Sequence, residues 1–316
     1  KPRQVKLPVQ TRALQSRLQP YLPAASTDTS TLESPMTWKL QGRSFGQDQR
    51  MLQVADLAVY NMLRQNARNQ WERPIYFAVT VARSGQLNLQ NYFQLEGQAY
   101  RVLPIKHSQP LGRVIPGISD DRIRKFEFTN LADSSAYYNE NARRMVDGYR
   151  LHVSHTAERL ARKNHSETAQ TLLDDFVADV PFSTIPGDVQ TLMYTARAYR
   201  AIGDTERLAS VLRKAQPVVF NDVQTAQSRR EFSRSLLFAG RIRRGLKDAG
   251  QTEALNSFDK ELNALLAEAP YRVPPRIRQA YGLASDTSAG SPQPPALPSG
   301  MGTPSPSSPS SGSPNN

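Results

Sequence analysis

Three times in its second half the chain repeats one short pattern: a Gly or Asn, any residue, a Ser or Thr, then Glu. The instances are Asn164-His165-Ser166-Glu167, Gly203-Asp204-Thr205-Glu206 and Gly250-Gln251-Thr252-Glu253. This is the chemistry of a sharp turn between two helices. Gly or Asn ends the first helix in the left-handed conformation, which other residues adopt only at a cost. The hydroxyl, or the polar residue before it, caps the next helix, and Glu sits in its favourable first turn. Apolar positions follow each turn at Leu172/Leu173, Val211/Leu212 and Leu255/Phe258. We expect Pro181, Pro217 and Pro270 to close the three units. Before the first turn, Val146, Tyr149, Val153, Ala157 and Leu160 recur at three- and four-residue steps, one stripe of a long helix.

Residues 137–284 are therefore read as a stack of helical hairpins. The steps between turns are uneven, but Leu192, Tyr194, Ala198, Tyr199, Gly203, Ala209 and Leu212 resemble a degenerate tetratricopeptide repeat. We prefer that reading to an irregular antiparallel bundle.

Residues 36–136 alternate strand and helix signals, and we expect a small α/β domain. Thr37–Leu40 reads as a short strand. Gln47–Arg68 has helical spacing, with Met51, Ala55, Ala58 and Met62 on one side and Leu52, Val59 and Leu63 beside them. The run Ile75–Val81 is β-branched and aromatic, bounded by Pro74 and Ser84-Gly85, and reads as a buried strand. Gln98–Ile105 alternates like another, and Arg124–Phe128 suggests a brief one in an otherwise long connection. Residues 1–35 read as a linker or a short helix over Lys6–Leu18. Residues 285–316 hold ten Ser, eight Pro and four Gly, too little apolar surface to offset ordering, so disorder is expected there. The fold class is α+β.

Composition narrows the chemistry. The chain of 316 residues has no cysteine, which excludes disulfides, thiolate metal sites and cysteine nucleophiles. Its 40 Lys+Arg against 28 Asp+Glu give a net charge of +12, and only nine of the basic residues are lysine. Residues 1–36, 37–136, 137–284 and 285–316 contribute +3, +5, +5 and −1. A nucleic-acid arm would concentrate that charge, so a nucleic-acid partner is disfavoured. The densest stretch, Arg229 to Lys247, reads as the solvated face of a helix. The longest apolar run, Ile75–Ala82, falls far short of the roughly 20 residues of a spanning helix. Residues 1–20 show no signal peptide. The first residue is Lys, and a fragment of a longer protein is expected.

At residues 71–106 the sequence resembles a known family. The segments Trp71-Glu72-Arg73-Pro74-Ile75-Tyr76-Phe77-Ala78 and Asn91–Lys106 are similar to the soluble C-terminal part of a bacterial membrane-protein family carrying a domain of unknown function. The multi-spanning half of that family resembles the protein O-mannosyltransferases. Met51–Met62 and Asn139–Met145 are similar as well, and the resemblance covers about residues 36–163. It implies an extracytoplasmic, periplasmic domain beside a membrane-embedded half, with catalysis in that half, so no catalytic residue is assigned here. Trp71, Arg73, Pro74, Tyr76 and Phe77 mark the family motif. Tyr92, Glu96, Tyr194 and Tyr199 are the candidate contacts to a protein or glycan acceptor.

Other constellations point to structure. His152 and His155 lie three apart with Glu158 one turn on, but His152 flanks the apolar stripe and no fourth ligand is evident, so no metal and no cofactor are assigned. Asp120-Asp121 and Asp174-Asp175 are sequence neighbours, which do not face each other across a substrate. Arg73 is expected to pair with Glu72, Glu96 or Asp56. The functional expectation is an accessory domain of a membrane-bound glycosyltransferase-like protein, binding or positioning an acceptor. The alternative is a free-standing helical-repeat scaffold for protein partners.

Overall fold

The computed structural model describes residues 3–22, 31–45, 49–109, 111–269, 271 and 273. The predicted tail at 285–316, part of the linker at 24–34, and Pro270 lie outside the described residues. Every element below belongs to one compact unit, Lys1–Val273.

The fold is α+β. Its first part is built from short antiparallel strand pairs. Strand β1 (Arg3–Leu7) pairs along its length with β3 (Met36–Leu40), from Arg3 opposite Leu40 to Leu7 opposite Met36. The alternation in Arg-Gln-Val-Lys-Leu buries Val5 and Leu7 against Met36, Trp38 and Leu40. Residues 1–35 thus do more than link. The expected helix over Lys6–Leu18 is confined to α1 (Thr11–Leu18), because Lys6 and Leu7 already belong to the strand. Strand β2 (Thr31–Leu32) reaches forward to pair with β9 (Ile105–Lys106), and β4 (Arg43–Phe45) pairs with β5 (Gln49–Met51). The largest sheet has three strands in the order β6 (Tyr76–Ala78), β8 (Ala99–Val102), β7 (Phe93–Glu96).

Two strand expectations need correction. Ile75–Val81 is not a fully buried strand. Only Tyr76–Ala78 pairs, at the sheet edge, and Phe77 alone of the three is buried. The chain then turns, with the Val81 amide donating to the Ala78 carbonyl. Arg124–Phe128 forms no strand, and Phe126 and Phe128 instead pack edge-on against Tyr149. Helix α3 (Ser119–Ile123) precedes them in the long connection.

Helix α2 (Val54–Arg68) starts later than the predicted Gln47, and only part of its predicted apolar side faces the core. Gln53 and Asp56 form a reciprocal capping box at its start. Asp56 also accepts from Arg43 at 3.2 Å. These bonds commit the Asp56 side to the protein, so the buried face runs through Asp56, Leu63, Asn66 and Ala67. Of the predicted side, Met51, Ala55, Ala58 and Met62 are exposed, whereas Leu63 beside them is buried and Leu52 and Val59 pack half-buried against the core.

The second part is the hairpin stack: α4 (Glu140–Ala161) with α5 (Ser166–Asp179), α6 (Val189–Ile202) with α7 (Thr205–Gln224), and α8 (Arg229–Asp248) with α9 (Thr252–Ala267). All three predicted turn residues adopt the left-handed conformation: Asn164 at φ 65°, Gly203 at 94° and Gly250 at 69°. Asp204 caps α7 by accepting from the Arg207 amide, whereas His165 and Gln251 make no capping bond. Pro181 follows α5 as expected. Pro217 does not close a unit, since α7 continues through it to Gln224. Val211, Leu212, Ala215, Val219 and Val223 are all buried along α7. That stripe outweighs the roughly 3 kcal/mol an interior proline costs a helix.

Candidate functional site

The family motif is a structural joint. Gln70 and Trp71 both have φ of 55°, which ends α2 and reverses the chain. The Trp71 amide donates to the Asn66 carbonyl at 2.7 Å, and the indole donates to the Pro8 carbonyl at 3.4 Å. The buried Asn66 side chain accepts from the Arg73 amide at 3.0 Å. Pro74 holds Arg73 out of helical geometry and feeds β6. The expected Arg73 ion pair does not form among the described residues: Asp56 pairs with Arg43, Glu96 lies 3.8 Å from Arg101, and the Arg73 side chain is exposed. Tyr76 donates to Glu96 at 3.0 Å, and Phe77 packs on Phe93.

That joint continues into the helical stack. Phe93 stacks on Tyr100 with ring centres 4.9 Å apart. His152 Nδ1–H donates to the Gly148 carbonyl at 2.7 Å, so its Nε2 accepts the Tyr100 hydroxyl at 3.0 Å. Burial pushes the Tyr100 phenol up to about 12 and holds His152 below its ordinary value. His155 donates to the Gly112 carbonyl at 3.3 Å and is pushed down to about 4, chiefly by burial. Both histidines therefore join the layers. Asp120 accepts from the Gly117 amide, Asp174 from Tyr199, and Asp175 pairs with Arg124.

The four candidate contact residues divide. Tyr92 is buried, with its hydroxyl on Glu33 and the Thr37 carbonyl, and burial followed by the Glu33 bond raises its pKa. Glu96 is buried between Tyr76 and Arg101. Tyr199 is buried and donates to Asp174 at 3.1 Å. None of these three presents its polar group to an outside partner. Tyr194 is half-buried, with the Arg197 guanidinium 5.3 Å above its ring.

Arg197 leads to a site the sequence did not reveal. A groove of about 640 Å³ runs between α6 and α8, with α7 beneath. Its floor is apolar: Met193, Ala196, Ala201, Leu208 and Leu212. Its rim is Arg162, Arg197, Arg200, Arg241 and Arg244. Gly245 lets α8 come close to α7, since a Cβ there would stand 2.7 Å from the Leu212 Cδ1. Glu158, 2 % exposed, accepts from Arg197 at 2.9 Å and lies 3.0 Å from Arg162. Arg200 pairs with Asp248. Arg241 lies 5.3 Å over the Phe238 ring. Among the described residues neither Arg241 nor Arg244 makes an ion pair. The half-buried Arg159 sits behind this rim; burial lowers its pKa, and Arg162 and Arg197 push the same way.

The basic stretch of α8 thus has several fates. Arg243 grips Asp259 with two nitrogens at 2.8 to 3.1 Å, Arg229 and Arg230 are solvated, and Arg241 and Arg244 face the groove. The available signal was the matching three-residue spacing of Arg197/Arg200 and Arg241/Arg244 on two helices.

Residues 3–120 match the family model described as TMEM260-associated domain 2, a domain of unknown function. The match takes in β1, ahead of the 36–163 span of the resemblance, and stops before the hairpin stack. No curated protein and no solved structure matches the chain.

Proposed function

We propose that the chain is a non-catalytic binding module that holds a partner protein in the groove between α6 and α8. The observation that carries this reading is the groove itself: an apolar floor ringed by five guanidiniums, of which Arg162, Arg197 and Arg200 are more than half exposed. Surfaces of this kind, with an aliphatic centre and an Arg-rich rim, suit protein recognition. The side chains best placed for acid–base work, His152, His155 and Glu158, are spent on the sheet–helix junction and on arginines.

The finer proposal is an accessory domain of a membrane-bound glycosyltransferase-like protein, on the extracytoplasmic face of a bacterial membrane. Its partners would be the membrane-embedded half of a longer parent and an acceptor protein or glycan. Its support is the motif Trp71–Ala78, together with a matching model whose name marks an associated domain. No helix among the described residues is long and apolar enough to cross a membrane, so membrane attachment would come from elsewhere.

The test is an unbiased displayed-peptide selection on the full chain, repeated with Arg200→Ala/Arg244→Ala. Ligands that lose affinity for the variant are expected. Ligands indifferent to it would refute the groove as the binding surface.

A further inference from the structure

We propose that the groove recognises an extended acidic peptide, one in which an aliphatic side chain is flanked by carboxylates; the proposal rests on the binding-module reading above. The charge count around the groove argues for it. Five guanidiniums share two carboxylates, those of Glu158 and Asp248, and Glu158 serves both Arg162 and Arg197. Arg241 and Arg244 have no carboxylate among the described residues. Such a rim repels itself, and an anionic ligand relieves the repulsion.

Helices α6 and α8 each present two arginines three residues apart, one turn along each wall of the groove. Guanidinium forks match carboxylates with two parallel bonds, more directional than a lysine point charge. The floor between the walls is aliphatic: Met193, Leu208 and Leu212 with two alanines. Seating an apolar side chain there excludes water and strengthens the surrounding ion pairs. A purely acidic ligand would leave this floor empty, and a purely apolar one would leave the rim unpaired. Nucleic acid fits less well, because among the described residues no aromatic side chain lines the groove to stack a base.

The experiment uses the full chain and a labelled peptide, Glu-Leu-Glu-Glu-Leu-Glu between Gly-Ser flanks, followed by fluorescence anisotropy at low and high salt. The controls are the same peptide with Gln for every Glu, and a thymidine oligonucleotide. The acidic peptide should bind, weaken as salt rises, and exceed the Gln peptide by at least about tenfold. Arg241→Glu/Arg244→Glu should lose at least about tenfold, whereas Arg229→Glu/Arg230→Glu, the same charge change on the same helix outside the groove, should retain affinity. Melting temperatures verify folding, and Arg244→Gln replaces the double variant if that fails to fold.

No binding by the acidic peptide would overturn the proposal, as would tighter, groove-dependent binding of the oligonucleotide. Equal, groove-dependent binding of the Gln peptide would overturn the acidic preference yet leave the module reading standing. Binding that falls equally with both charge swaps would reduce the effect to net charge and contradict both.

Discussion

Acid should loosen the junction between the sheet and the hairpin stack, and His155 sets the size of the effect. Its ordinary pKa is 6.5; in the fold it is pushed down to about 4. Burial is the main cause. Arg159 and His152 push the same way, while the Gly112 carbonyl and Glu158 pull back. The unfolded chain therefore binds a proton that the folded chain refuses until near pH 4. Stability present at neutral pH is lost as pH falls from 6.5 toward 4. Each tenfold drop in proton affinity is worth roughly 1.4 kcal/mol, so the full loss is about 3 kcal/mol, of which about 2 kcal/mol is gone by pH 5. His152, whose pKa burial also lowers, adds to the loss with the same sign. The assay is urea unfolding of wild type and His155→Gln at pH 7 and pH 5. Gln keeps a donor for the Gly112 carbonyl but does not titrate. The variant should lose about 2 kcal/mol less than wild type between the two pH values. Equal losses would refute the assignment of His155 as a buried neutral group.

Other substitutions probe the joints. Arg150 is 1 % exposed and donates to the carbonyls of Val180, Pro181 and Ile185 while pairing with Asp147. Arg150→Met should cost about 3 kcal/mol or more in denaturant unfolding, since it strands the partners of a buried charge. Asn66→Ala should cost about 2 kcal/mol by leaving the Arg73 amide unpaired, read as a lower melting temperature. Gly203→Ala should cost about 1 kcal/mol, because φ of 94° strains any side chain although a Cβ there would meet nothing. Gly148→Ala, in a helix with equally open space, serves as its control and should not destabilise.

The hairpin stack was legible because its signals are local. A left-handed Gly or Asn followed by an acidic first turn defines the junction inside each hairpin within four residues, and the apolar stripe of α4 repeats without a break from Val146 to Leu160. The strand-rich part was less so. In α2 the polar residues Asp56 and Asn66 are buried beside Leu63 and Ala67, each bound to backbone some residues away, so a hydrophobicity pattern found only part of the buried face. Strand β1 was hidden because its partner lies some thirty residues on and its outward side chains are polar or charged. Pro217 misled because tertiary packing on both sides of it overrode a local breaker. The groove was invisible for a different reason. Its arginines come from the end of α4, from α6 and from α8, and only the stacking of the helices brings them together.

The central claim is that α6 and α8 form the binding surface. Backbone amide exchange of the full chain, free and with a library-selected peptide bound, tests it most directly. The account predicts slowed exchange confined to the C-terminal halves of α6 and α8 and the start of α7. Protection centred instead on the exposed face of α2 around Ala55–Met62, with α6 and α8 unchanged, would contradict it.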